Sequence, residues 1–293
     1  MGYPSVSDGS ARFGQTGDGG HPLCRLLVDA PRPGLAWAGA HGQDALALVK
    51  QAGVLKVGTE TAFAPFDFIK EGDHAGLNVD VFNEISKEMG VKLEWVLLPW
   101  EGVLPGLETN KFDMVAGPAT ITKARLERYR FSVPVAEATA AFLKRKGDTS
   151  IMKPADVAGK IVGGGKSSSQ LAQAKAYGDT LPGKVQTRDY PGNNEAYADL
   201  AAGRIAVVSN SLPNIAYVAQ QRPDTFEVVH PAFGEKSYFG YISRKDADGA
   251  KLADAVDAAL LSLKRDGRLA GLQKEWFGAS FDTPDHPPAP HFC

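Results

Sequence analysis

The chain has 293 residues, enough for two domains at the usual size of about 150 residues each. Hydrophobic residues make up 43% of it, charged residues 23%, and the formal net charge is −2, a balance that argues against a nucleic-acid-binding surface. No apolar run reaches the roughly 18 residues that would predict a transmembrane helix.

The two ends of the chain predict tails. Residues 1–44 are rich in Gly and Pro, which is typical of disorder or of a signal remnant. The apolar run at 35–40 is short for a secretory signal and follows two prolines, although Ala36 and Ala38 resemble a cleavage site. Residues 281–293 are proline-rich and predict a second loose tail.

The cysteines and histidines predict no metal site. Cys24 and Cys293 both lie in the predicted tails, so the folded part has no disulfide framework. No pair of histidines has the spacing of a zinc motif. The sequence therefore predicts neither a metal nor a cofactor.

From residue 54 onward, strand-like runs alternate with helix-like periodic segments. Strands are predicted at 54–58, 91–98, 112–116, 160–165, 185–188 and 205–209. Helices are predicted at 79–89 with Asp80 as N-cap, 103–109, 169–177, 193–202 and 250–276. This alternation predicts open α/β sheets with short connections.

A candidate anion site follows the strand at 112–116. Thr120 and Arg125 come just after it, and Thr122 is placed to cap the next helix. A guanidinium can hold a carboxylate through two parallel hydrogen bonds, and Thr120 with the helix N-terminus can complete the site. The alternative is that Arg125 is a solvated surface charge.

Several segments, in order over residues 46–280, resemble the periplasmic solute-binding proteins that deliver polar amino acids to ABC transporters. The resemblance rests on residues 57–60, 63–68, 76–82, 100–107, 111–114, 122–125, 131–132, 266–269 and 274–278. It implies a two-lobed α/β fold of type II with a ligand cleft between the lobes. Lobe 1 is expected from 45–140 plus 237–280 and lobe 2 from 141–236, joined by hinge strands near 139–144 and 236–241.

The resemblance also implies ligand contacts. Arg125 and Thr120 would hold a carboxylate from lobe 1, and Ser168 and Ser169 would approach it from lobe 2. Phe63 and Trp100 stand where the family places cleft walls, and Glu60 where an acidic group meets the polar end of the ligand. The alternatives are that the aromatics belong to the core, that Ser169 only caps a helix, and that Glu60 is solvated.

Ser211 marks a departure from the family. It stands where an aspartate is expected to bind the ligand's α-ammonium, and a serine cannot neutralise a buried ammonium. Either Glu60 supplies the missing anion or the ligand lacks a free primary amine.

The resemblance implies a monomeric, extracytoplasmic, periplasmic carrier that captures a small carboxylate or amino acid and passes it to the membrane subunits of an ABC transporter. It implies no catalytic residue. Two alternatives stay open: an enzyme similar to cyclohexadienyl dehydratase on the same scaffold, and a ligand-binding sensory module.

Overall fold

The computed structural model of this protein describes residues 44–289. The predictions for residues 1–43, including the cleavage-like site and Cys24, lie outside the described residues, as does Cys293. The strands are β1 (Val54–Thr59), β2 (Ala62–Phe63), β3 (Asp67–Lys70), β4 (Asp73–Ala75), β5 (Lys92–Leu97), β6 (Met114–Thr120), β7 (Tyr129–Phe131), β8 (Ala136–Glu137), β9 (Ala140–Arg145), β10 (Ile161–Gly165), β11 (Gln186–Tyr190), β12 (Val207–Ser211), β13 (Phe226–Val229) and β14 (Tyr238–Arg244). The helices are α1 (Ala45–Ala52), α2 (Leu77–Met89), α3 (Trp100–Glu108), α4 (Lys123–Arg128), α5 (Ser169–Asp179), α6 (Asn193–Ala201), α7 (Leu212–Gln221), α8 (Ala247–Arg265) and α9 (Arg268–Phe277), and Pro154–Val157 forms a 3-10 turn.

The first sheet has the strand order β5-β1-β6-β14-β7, with β8 also paired to β14. Strand β1 runs parallel to β5 and β6, whereas β14 is antiparallel to β6. Helices α2 and α8 belong to its core through apolar residues spaced three or four apart, as an amphipathic helix requires. These residues include Val81, Phe82 and Ile85 of α2 and Leu252, Val256 and Leu260 of α8.

The second sheet has the order β11-β10-β12-β9-β13 and draws all its strands from residues 140–229. Strand β10 is parallel to β11 and β12, and β9 is antiparallel to β12 and β13. In such sheets, ligands bind outside the carboxyl ends of the parallel strands.

The chain crosses between the two sheets twice. It leaves the first sheet between β8 and β9 and returns between β13 and β14. The backbone N–H of Ala138 donates to the carbonyl of Ser237 at 2.8 Å, so the two crossing segments are bonded side by side. The result is the two-lobed α/β architecture that the sequence predicts.

One helix prediction is wrong in detail. Helix α2 begins at Leu77, so Asp80 is not its N-cap; its carboxylate instead accepts a hydrogen bond from the Trp276 indole at 2.8 Å. The helix system predicted at 250–276 consists of two helices, because the chain turns at Asp266 and at Gly267, whose φ of +81° favours glycine.

The segment after α9 is packed although it has no regular secondary structure. The Phe281 ring lies 5.1 Å from that of Phe277, and the Lys264 ammonium donates to the carbonyl of Thr283 at 2.7 Å. The same ammonium pairs with Asp285 at 2.8 Å. Residues 281–285 are therefore held to α8 and α9, a difference from the loose tail that proline content predicts.

Candidate functional site

A cavity lined by polar and aromatic side chains lies where the carboxyl ends of the parallel strands in the two sheets meet. Every predicted contact except Ser211 lines this cavity. The full lining is Glu60, Phe63, Trp100, Pro118, Thr120, Arg125, Gly165, Ser168, Ser169, Gln170, Pro191, Gly192, Asn193, Asn210 and Phe239.

Arg125 lies in the first turn of α4 and is half-buried at the cavity. Its backbone N–H donates to the Thr122 hydroxyl, which caps the helix as predicted. Its guanidinium donates to the carbonyls of Thr120 at 3.1 Å and Ser167 at 3.5 Å, and stands 5.5 Å from the centre of the Trp100 ring. Burial lowers the pKa of Arg125 to about 10, which leaves it charged at neutral pH.

No carboxylate among residues 44–289 forms an ion pair with Arg125. By contrast, Arg128 on the same helix pairs with Glu108 at 2.5 Å on the surface. Two N–H groups of the Arg125 guanidinium donate to carbonyls, so its remaining N–H groups are available to bind an anion. The arrangement is chemically suited to binding a carboxylate.

Two serines approach from the second sheet at the start of α5. The Ser168 hydroxyl is the N-cap and accepts from the Leu171 backbone N–H at 3.2 Å, whereas Ser169 is the first helical residue. The Ser169 hydroxyl accepts from Gln173 at 3.0 Å. The capping role considered for Ser169 thus belongs to Ser168, and the Ser169 hydroxyl still has its own proton to donate.

Gln170 also lines the cavity, a contact that the sequence did not predict. Its side-chain amide donates to the Thr120 hydroxyl at 3.0 Å, and both residues are buried. The bond joins α5 to the end of β6, and so connects the two sheets directly beside Arg125. No spacing in the sequence pairs these residues, since 50 positions separate them.

The two predicted wall residues differ in their surroundings. Phe63 is 6% exposed, stacks on Phe66 at 5.4 Å and meets Phe239 edge-on at 5.8 Å, so it belongs to the core and to the cavity at once. Trp100 is half-buried at the start of α3 and lies under the Arg125 guanidinium. Phe239, also unpredicted, is a third aromatic in the lining.

Glu60 is the acidic residue of the cavity lining and is only 7% exposed. Burial raises the pKa of Glu60 to about 8, with a smaller contribution from the neighbouring Asp67 carboxylate. Within residues 44–289, no side chain donates a hydrogen bond to the Glu60 carboxyl. An acid of this kind holds a proton at neutral pH and can exchange it for the positive charge of a ligand.

Ser211 is not among the residues that line this cavity, and its role in ligand binding stays a prediction. Its side chain is fully buried, and its hydroxyl has no hydrogen-bond partner among the described residues. Successive side chains of a strand point to opposite faces, so at the end of β12 the preceding residue, Asn210, reaches the cavity instead. The Asn210 amide donates to Asn193 and to the Tyr197 hydroxyl, each at 3.1 Å.

Other contacts hold the two sides of the cavity together. The Asn193 amide donates to the carbonyl of Ala62 at 3.1 Å, and Asn214 donates to the carbonyl of Ala64. Nearer the surface, the Lys166 ammonium pairs with Glu101 at 2.5 Å.

Within residues 44–289, no three His, Cys, Asp or Glu side chains are grouped as ligands for a metal ion. Over the same residues, every helix is too short or too polar to span a bilayer.

Comparisons with known proteins agree with this geometry. The family model of the bacterial extracellular solute-binding proteins, family 3, matches residues 55–279. The L-cystine-binding protein TcyJ of Escherichia coli K12 is 32% identical over 237 residues, which cover 79% of this chain and 85% of TcyJ. An L-arginine-binding protein of Pseudomonas aeruginosa is 30% identical, over 78% of this chain and 89% of that protein.

Solved structures show the same architecture. An ancestral amino acid-binding protein, described as a precursor of cyclohexadienyl dehydratase, superposes with a TM-score of 0.72 at 30% identity, covering 79% of this chain and 99% of that one. The arginine-bound AbpA of Streptococcus pneumoniae gives a TM-score of 0.72 at 26% identity, covering 81% and 100%.

The fold and the cavity define a two-lobed ligand-binding protein. The chain belongs to the bacterial extracellular solute-binding proteins, family 3, whose relatives above are amino-acid-binding proteins.

Proposed function

We propose that this protein binds an amino acid in the cavity between its lobes through the ligand's carboxylate. The observation that carries the proposal is the half-buried Arg125, which no carboxylate of the described chain neutralises. Thr120, Ser168 and Ser169 supply hydroxyls and a helix N-terminus around the same point.

The positive end of the ligand is assigned to Glu60. The cavity presents one acid and one arginine, which matches a zwitterion oriented along the line between them. Asn210, in place of an acid on the second sheet, offers only neutral hydrogen bonds. Phe63 and Trp100 wall the remainder of the ligand.

In this proposal the protein is a monomeric periplasmic carrier that presents its ligand to the membrane subunits of an ABC transporter. Membership in an extracellular solute-binding family supports the location, and the relatives' amino-acid ligands support the cargo. The lobes are assigned to 45–140 plus 237–280 and to 141–236, a division that the distribution of strands between the two sheets supports.

A thermal-shift screen of amino acids, followed by calorimetry with the strongest hit, tests the function, because a ligand that binds the native state raises its melting temperature. Arg125→Ala is expected to abolish measurable binding and to keep the fold. Arg128→Ala, which removes an exposed arginine from the same helix, is the matched control and should bind like the wild type. Equal affinity in both variants would contradict the proposal.

A dehydratase is the second candidate, and one observation favours it: Glu60 is a buried acid that holds its proton near neutral pH, as a general acid must. We propose the binding protein over the enzyme because the relatives above are binding proteins. Incubation with prephenate or arogenate and mass spectrometry of the products separates the two, since a carrier returns the substrate unchanged.

A further inference from the structure

A buried polar cluster neighbours Glu60. Asp67 of β3 is completely buried and lines no part of that cavity. One of its carboxylate oxygens lies 3.0 Å from Nε2 of His74, and the other accepts from the Asn78 amide. Asn78 in turn accepts from the Tyr241 hydroxyl at 3.0 Å.

The surroundings of the two His74 ring nitrogens indicate which of them carries the proton. An ionised Asp67 can only accept, so the hydrogen bond requires a proton on Nε2 of His74. Nδ1 of the same ring is buried and has no partner among the described residues. With its proton on Nε2, the ring donates to Asp67 and leaves no unsatisfied N–H donor at the buried Nδ1.

Three titratable groups act on Asp67 or are affected by it. They are His74 of β4, Tyr241 of β14 and Glu60, which lies in the loop after β1. Glu60 faces Asp67, the Tyr197 hydroxyl of α6 and, across the ligand cavity, Arg125. Glu195 lines an adjoining open groove together with Glu60.

Two neighbouring buried carboxyls do not ionise together readily, so one of them keeps a proton. The donors decide which one. Asp67 receives hydrogen bonds from His74 and Asn78, whereas Glu60 receives none from the described residues. Burial raises the pKa of Asp67 as well, but the hydrogen bonds from His74 and Asn78 act against that rise, whereas nothing of the kind acts on Glu60. The negative charge is therefore better stabilised on Asp67, and the proton remains on Glu60.

We propose that the buried Asp67–His74 pair holds Glu60 in its protonated form in the ligand-free protein, so that a ligand's positive charge must displace a proton from Glu60 as it binds. The Glu60 O–H bond breaks, its electron pair stays on the carboxylate, and the proton passes to buffer through the groove that Glu60 shares with Glu195. The carboxylate then pairs with the ligand cation. Asp67 and His74 are positioning residues, since neither touches the ligand cavity.

This inference rests on the proposed function for the identity of the ligand, but its central step can be tested without any ligand. Carboxyl-labelled glutamate allows the titration of Glu60 to be followed by ¹³C NMR in the full chain, with the signal assigned by its loss in Glu60→Gln. The wild-type midpoint should lie near 8. A midpoint in the ordinary range of glutamates would overturn the proposal.

Variants of Asp67 and His74 test whether this pair affects the titration of Glu60 or only supports the fold. Asp67→Asn removes the neighbouring charge, and His74 can change tautomer to accept from the new amide, so the Glu60 midpoint should fall by about 1 unit or more. His74→Leu should lower it less, and His74→Gln, which keeps a donor, should restore it. If Asp67→Asn lowers the melting temperature but leaves the Glu60 midpoint unchanged, the pair is only structural and the proposal is wrong.

Calorimetry with L-arginine as the probe, in buffers of different ionisation enthalpy, measures how many protons are released when the ligand binds. At pH 6.5 the wild type should release nearly one proton per ligand bound, and Glu60→Gln should release none. Below the Glu60 midpoint the affinity should rise about tenfold per pH unit. Binding without proton release would overturn the coupling, whereas the absence of any binding would count against the proposed function and leave the NMR result to decide the inference.

Discussion

Gln170 and Thr120 form a buried hydrogen bond of 3.0 Å that connects the two sheets beside the cavity. It lies next to the carbonyls of Thr120 and Ser167 that the Arg125 guanidinium bridges. The contact that connects the two sheets therefore adjoins the carbonyls that position Arg125, the proposed anion-binding residue.

Gln170→Ala should weaken ligand binding about fivefold, because the lost bond contributes about 1 kcal/mol to the closed arrangement. Calorimetry with the strongest ligand of the thermal-shift screen measures this loss. Lys175→Ala, at an exposed position of the same helix, is the control and should leave the affinity unchanged. An unaltered affinity in Gln170→Ala would mean that the bond does not stabilise the ligand-bound form.

Arg125→Lys should bind the same ligand at least tenfold more weakly. A lysine keeps the positive charge but lacks the planar fork that grips a carboxylate and bridges the carbonyls of Thr120 and Ser167. Calorimetry at neutral pH measures the difference, with circular dichroism as the check on folding. Wild-type affinity in this variant would show that a point charge is sufficient at the site.

The free energy of unfolding should fall as the pH rises between about 4.5 and 8. The folded protein keeps the Glu60 proton up to about pH 8, whereas the unfolded chain loses it near pH 4.5. Between these values the folded state binds more protons, so a rise in pH favours unfolding, by an amount on the order of a few kcal/mol.

Urea titrations across this pH range test the linkage, with Glu60→Gln as the comparison. The variant cannot titrate at this position, so its stability should depend less steeply on pH. Parallel curves for the two proteins would show that Glu60 has an ordinary pKa in the folded state.

Ser211→Ala should leave ligand binding unchanged and should not destabilise the fold, because the buried Ser211 hydroxyl has no partner whose bond would be lost. Asn210→Ala, one position earlier, should weaken binding, since Asn210 lines the cavity and holds Asn193 in place. Calorimetry of the two single variants compares the two faces of β12. A binding defect in Ser211→Ala, with wild-type binding in Asn210→Ala, would show that Ser211 and not Asn210 contacts the ligand.

Local sequence patterns were sufficient for much of the fold and part of the site. Strand β1 and helix α2 follow from apolar runs and spacings, and the ordered motifs around them identify the two-lobed family. Arg125 could be selected because its strand, its capping Thr122 and its helix are consecutive in the chain. Such features are set by neighbours within a few residues, which a sequence displays directly.

Tertiary structure decided the rest. Whether Asn210 or Ser211 meets the cavity depends on the pleat of β12, and a shift of one residue exchanges the two faces. Gln170 reaches Thr120 only because the chain crosses between the sheets twice. Sequence patterns alone were enough for the family and the fold class. The burial of Glu60 and Asp67 as neighbouring carboxyls depends on the packing of the whole lobe around them, because no local pattern shows which acidic side chains lose their contact with water.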